Sequence, residues 1–140
     1  MSTTATNFTE EFVQVDFGKV HLMKGGTGSP LVLFQDDLGS PGWQPFYDEL
    51  ARNFTLYVPS HPGFGKSDRP DWMRSARDLA LSHLWLMRKL GLESVSAVGI
   101  GFGGWLAAEM ATMCHHIFDR MVLVGALGVQ PTEGEILDQI

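Results

Sequence analysis

At 140 residues, 44% of them apolar and 19% charged, the chain has the size and composition of one globular domain with a sizeable core. A net charge of −6, with ten scattered basic residues that never cluster beyond the pair Arg88-Lys89, argues against nucleic acid as a partner. Met1–Glu11 is polar and ends acidic, so no secretory leader is expected there, and the apolar run Met121–Val129 is too short to span a bilayer. The single cysteine, Cys114, precludes an intramolecular disulfide, and a cytoplasmic setting without a membrane partner is expected.

Phe12-Val-Gln-Val-Asp-Phe17 alternates apolar and polar residues as a half-buried strand does, and Gly18-Lys19 is expected to turn it into a second strand, Val20–Lys24. After a glycine-rich loop, the continuous apolar run Leu31–Phe34 suits a strand covered on both faces. Trp43–Arg52 reads as a short helix with proline in its first turn, and Phe54–Val58 as the next strand. Ser75 or Asp71 opens a long helix whose stripe is Ala76, Leu79, Ala80, Leu84 and Met87, with a stop near Leu90-Gly91. A strand Val95–Val98, a helix from Phe102 to His115 and a strand Met121–Val124 follow. Strands and helices alternating in this way predict an α/β fold, an open, mostly parallel sheet whose first strands are antiparallel.

The strand at Val95 runs through Gly99-Ile-Gly101-Phe-Gly-Gly104 into a helix. That run matches the dinucleotide pattern G-x-G-x-x-G, but the nucleotide fold wants a carboxylate at the end of the following strand. The following strand ends Val124-Gly-Ala-Leu127, and Asp119 stands at its opposite end, so no cofactor is expected.

Three segments together, Leu31–Phe34 with its loop, Val58-Pro-Ser-His-Pro-Gly-Phe-Gly-Lys-Ser-Asp68 and Val98–Trp105, resemble the α/β-hydrolase superfamily from about residue 12 onward. The resemblance implies a nucleophile elbow of the form G-x-S-x-G at Gly99–Gly103. Its nucleophile position is Gly101, which has no side chain with which to attack, so no catalytic residue is expected. The resemblance also implies a His-Gly pair after the third strand, where this chain has Gln35-Asp36. The N–H groups of Phe102 and Asp37 are the implied oxyanion donors, and a carboxylate at Asp36 opposes a developing oxyanion. Gly103 and Gly104 allow the helix to approach the strands closely, and glycine at 101 relaxes the turn.

The family's later acid and histidine have no counterparts here: none of Asp16, Asp48 and Asp119 matches the acid. The implied layout is a polar tail over 1–11, a partial core over 12–129 ending after about the sixth strand, and the start of a cap connection over 130–140. The functional expectation is an inactive relative of ester, C–C, epoxide or carbon–halogen hydrolases. The alternatives are a binding module for a small apolar ligand and the first half of a longer or split hydrolase. Met121–Val124 would be an apolar sheet edge and a route to self-association or to a second polypeptide.

Smaller motifs read as structural. Cys114-His115-His116 lacks the three- or four-residue spacing of metal ligands on a helix, His83 sits on an apolar stripe, and His61 lies in a loop bordering the turn. Asp36-Asp37 is too thin for a cation site and is expected in water, and the four tryptophans are expected to pack.

Overall fold

The structure, a computed structural model, describes residues 7–39, 41–128 and 132–133. Its elements in chain order are β1 (Phe8–Val15), β2 (Gly18–Gly25), β3 (Ser29–Phe34), α1 (Pro45–Ala51), β4 (Phe54–Pro59), α2 (Ala76–Lys89), β5 (Val95–Ile100), α3 (Phe102–Met113) and β6 (Phe118–Val124). The sheet runs β1-β2-β4-β3-β5-β6, with β1 and β2 antiparallel to their neighbours and β4, β3, β5 and β6 mutually parallel. The expected α/β class and sheet organisation are those observed.

Side chains on β3 alternate between two cores, as the two-residue period of a strand requires. Leu31 and Leu33 pack with Tyr47 and Ala51 of α1, whereas Val32 and Phe34 pack with Ala80 and Met87 of α2 and Ala107 and Met110 of α3. Leu31, Val32, Leu33 and Phe34 are all buried, so the unbroken apolar run correctly signalled a strand covered on both faces.

Of the two candidate caps for α2, Ser75 is the one used. Its hydroxyl accepts from the Asp78 N–H at 3.1 Å, and the Asp78 carboxylate accepts from the Ser75 N–H at 3.1 Å, a complete capping box. Gly91 follows the helix at φ 69°.

Most strand boundaries differ from expectation by one or two residues, and four shifts have a visible cause. β1 begins at Phe8, inside the stretch expected to be a polar tail, because pairing with β2 extends to Phe8↔Gly25; the connecting turn is Asp16-Phe17, since Gly18 already pairs with Val15. α1 begins at Pro45: Trp43 remains outside it, stacks on Phe8 at 4.7 Å and donates its indole N–H to Asp48 Oδ1. α3 stops at Met113 because Cys114 is extended, with φ −141°, which leaves His115 and His116 beyond the helix. β6 begins three residues before Met121, at Phe118, because its pairing with β5 starts at Val95↔Phe118. The stretch expected to lead toward a cap, 130–140, lies almost entirely outside the described residues.

Candidate functional site around the glycine turn

β5 occupies the middle of the parallel strands and delivers the chain into the turn at Gly101. Gly101 has φ 55° and ψ −117°, a conformation that a residue with a Cβ adopts only at a cost in strain. Its N–H donates to Val124 O, and its carbonyl accepts from the N–H groups of Gly104, Trp105 and Leu127 at 3.1–3.3 Å. The turn is therefore tied to the end of β6 as well as to its own helix.

The neighbouring glycines serve close packing. A Cβ at Gly103 would stand 2.1 Å from Phe34 O and 2.3 Å from Gln35 O, and one at Gly99 would stand 2.6 Å from the Gly104 Cα. The N-terminus of α3 thus lies directly on the carboxyl end of β3.

That proximity brings Asp36 into the turn. Its Oδ1 accepts from the Phe102 N–H at 3.0 Å and from the Asp37 N–H at 2.8 Å. These are the two N–H groups singled out as oxyanion donors, and both are engaged by a carboxylate of the same chain. A Cβ at Gly101 would fall 2.5 Å from Asp36 Cγ and Oδ1 and 2.6 Å from Oδ2. Asp36 therefore fills the volume that a side chain at position 101 would enter. The expectation that Asp36 and Asp37 both stand in water is corrected for Asp36, which is half-buried; Asp37 is exposed. The Phe102 N–H first, and the Asp37 N–H after it, holds the Asp36 carboxyl below its ordinary range, so it stays anionic.

Sequence reasoning treated His61 and His83 separately, but the fold joins them. Both are buried, with His61 Nδ1 2.8 Å from His83 Nε2 and His61 Nε2 2.6 Å from Gln35 O. A carbonyl oxygen only accepts, so His61 carries its proton on Nε2 and its Nδ1 accepts from the Nε2–H of His83. That assignment leaves His83 Nδ1 as an acceptor, buried and without a partner among the described residues. Burial lowers the pKa of His61, lowers that of His83 well below the ordinary range, and so favours the neutral pair. His61 thereby holds the Gln35 carbonyl, and with it the loop that carries Asp36. The one sequence signal for this pairing was a histidine on the apolar stripe of α2.

A cavity of about 220 Å³ borders the turn, lined by residues that include Leu33, Gln35, Asp36, Phe46, Tyr47 and Ile100. Larger clefts of about 500 and 440 Å³ lie beside Trp85 and Arg88 and share no residue with the turn. Gln35 is only 5% exposed, and its Nε2 has no hydrogen-bond partner among the described residues. Among the described residues no three His, Cys, Asp or Glu side chains gather as metal ligands, and no helix is long and apolar enough to cross a membrane.

The strand, the tight glycine turn and the helix at the centre of the sheet stand in the order of a hydrolase elbow. The sequence pattern of the alpha/beta hydrolase fold family matches residues 22–140, and the chain belongs to that family. It is 33% identical over 111 residues to 2-hydroxy-6-oxo-2,4-heptadienoate hydrolase of Pseudomonas putida, a match covering 74% of this chain and 40% of that protein. It is 27% identical over 124 residues to the soluble epoxide hydrolase of a Corynebacterium species, covering 86% of this chain and 42% of the relative. Among solved structures, Cfl2 of Burkholderia cenocepacia superposes with a TM-score of 0.80 at 25% identity, over 98% of this chain and 49% of that one. The chain thus spans less than half the length of each of these relatives, and it is distantly related to hydrolases of several bond types.

Proposed function

We propose that the chain is a catalytically silent hydrolase-fold unit, in which the family's acyl-transfer site is closed at its centre. The observation that carries this reading is the Asp36 carboxylate, which accepts from both Phe102 and Asp37 N–H groups and occupies the space above Gly101. Acyl transfer needs an attacking side chain at the elbow and free N–H donors for the oxyanion. Position 101 lacks the first, and Asp36 engages the second. The test is labelling with a fluorophosphonate, together with stopped-flow turnover of a p-nitrophenyl ester. Neither a covalent adduct nor a burst of nitrophenol is expected, for the chain itself or for Gly101→Ser. A stoichiometric burst from either protein would end this reading.

A second reading is favoured by the outer edge of the sheet. Val122 is 57% exposed and Val124 49% exposed on β6, which has no strand beyond it among the described residues. An apolar edge of this kind invites pairing with a further strand. On this reading the unit works within a larger assembly whose sheet continues across β6.

A further inference from the structure

We propose that the loop over residues 35–39 is an acid-released latch: it lifts when the buried His61–His83 pair takes up a proton, and it then withdraws Asp36 from the Phe102 N–H. The inference rests on the reading of Asp36 as closing the site, and it adds a regulation of that closure.

Among the described residues, two hydrogen bonds from other elements hold residues 35–37. His61 Nε2–H donates to Gln35 O at 2.6 Å, and the Phe102 N–H donates to Asp36 Oδ1 at 3.0 Å. Little apolar burial supports them, since Leu38 is 93% exposed and Gly39 has no side chain. The same loop covers His61. A small cavity of about 100 Å³ lies between them, lined by Gln35, Asp37, Leu38 and Gly39 on the loop side and by His61 and Phe64 opposite. Lifting the loop therefore brings water to His61.

The pair has one vacant acceptor, His83 Nδ1. A proton bound there lets the Nε2–H of His83 cross the 2.8 Å contact to His61 Nδ1, so one proton enters and His61 carries the charge. Around that charge stand the carboxylates of Asp36 and Asp37 in the loop, His83 on α2, and the rings of Phe64 and Phe102, while Phe34 lies against His83.

The two carboxylates and the Gln35 carbonyl favour the cation, but burial outweighs them and holds His61 below its ordinary range. An open loop hydrates His61 and restores that range. The sign follows from linkage: the closed latch is fully stable above about pH 6.5 and weakens as pH falls toward the folded value. Asp36 stays anionic in that window, because its own carboxyl is held below the ordinary carboxylate range.

Amide hydrogen exchange between pH 7.5 and pH 5.5, corrected for the intrinsic pH dependence of exchange, tests the latch. Protection of the Phe102 N–H is expected to fall by up to about tenfold per pH unit below pH 6.5, the slope of one proton. Low urea should leave its exchange unchanged and speed that of Val32 in β3, because Phe102 is released locally and Val32 only by global unfolding. The imidazole nitrogen signals of His61 should titrate over the same range. Asp36→Asn should keep the pH dependence, whereas His61→Gln, which retains an N–H donor and cannot titrate, should abolish it. Four results would each overturn the proposal: protection that does not change with pH, a Phe102 N–H released only by global unfolding, a His61 that stays neutral until the chain unfolds, or a pH dependence lost in Asp36→Asn. The ester burst reads chemistry at the elbow and exchange reads the hydrogen bond, so failure of the silent reading and failure of the latch are distinguishable.

Discussion

Adding one methyl group at position 101 tests the contact on which the site depends. In Gly101→Ala the new Cβ sits 2.5 Å from Asp36 Cγ and Oδ1, where ordinary contact begins at 3.4 Å, so the carboxylate must retreat by about 1 Å. Two costs then separate. Backbone strain at φ 55° and ψ −117° belongs to position 101 alone and amounts to about 1–3 kcal/mol. Loosening of the hydrogen bonds from Phe102 and Asp37 to a half-exposed carboxylate adds about 1–2 kcal/mol, and only while that carboxylate is present. Asp36→Ala deletes all three atoms that the methyl meets. The substitution at 101 should therefore cost about 2–5 kcal/mol in the parent and about 1–3 kcal/mol in Asp36→Ala, a coupling of about 1–2 kcal/mol. Urea unfolding of the parent, both single variants and the double variant gives the four free energies. Costs that add to within about 0.5 kcal/mol would refute the reasoning, because the two positions would then be independent.

Other consequences are open to measurement. Burial lowers the folded pKa values of His61 and His83, so below about pH 6.5 the unfolded chain takes up protons that the folded one refuses. Stability is therefore full above that pH and falls with acidification toward the folded values, by up to about 1.4 kcal/mol per pH unit for each histidine. Urea midpoints between pH 8 and pH 5 should follow this course, and His83→Phe should reduce the slope; an unchanged slope would contradict the assignment. Gly103→Ala, whose Cβ would stand 2.1 Å from Phe34 O, should destabilise by about 3 kcal/mol or more in thermal or urea melts, since neither backbone can yield alone. If β6 is an open pairing edge, size-exclusion chromatography with light scattering should find self-association that Val122→Lys reduces; a monomer at high concentration would exclude it.

What was legible in the sequence followed from local periodicity and punctuation. The apolar run Leu31–Phe34 suits a strand covered on both faces, and Ser75 was one of the two caps offered for α2. The departures at Asp36 and Gly101 were each visible. Their contact was not, because it joins residues 65 apart through the side-by-side placement of β3 and β5. The His61–His83 pair was hidden for the same reason: a histidine in a loop and one on a helix stripe meet only after α2 has packed on the sheet. The early start of β1 was obscured because its outer residues are exposed and polar, and pairing rather than burial defines that strand.

The geometry at position 101 also imposes an order on substitutions that would place a side chain in the turn. A side chain placed there first collides with Asp36 and strains the turn together, so that step descends steeply in stability. Removing the Asp36 carboxylate first merely exposes two amide groups to water, after which the residue at 101 can change against strain alone. The two substitutions are thus ordered in sequence space: the double change is accessible chiefly through Asp36, and single changes tried in the other order are disfavoured by folding.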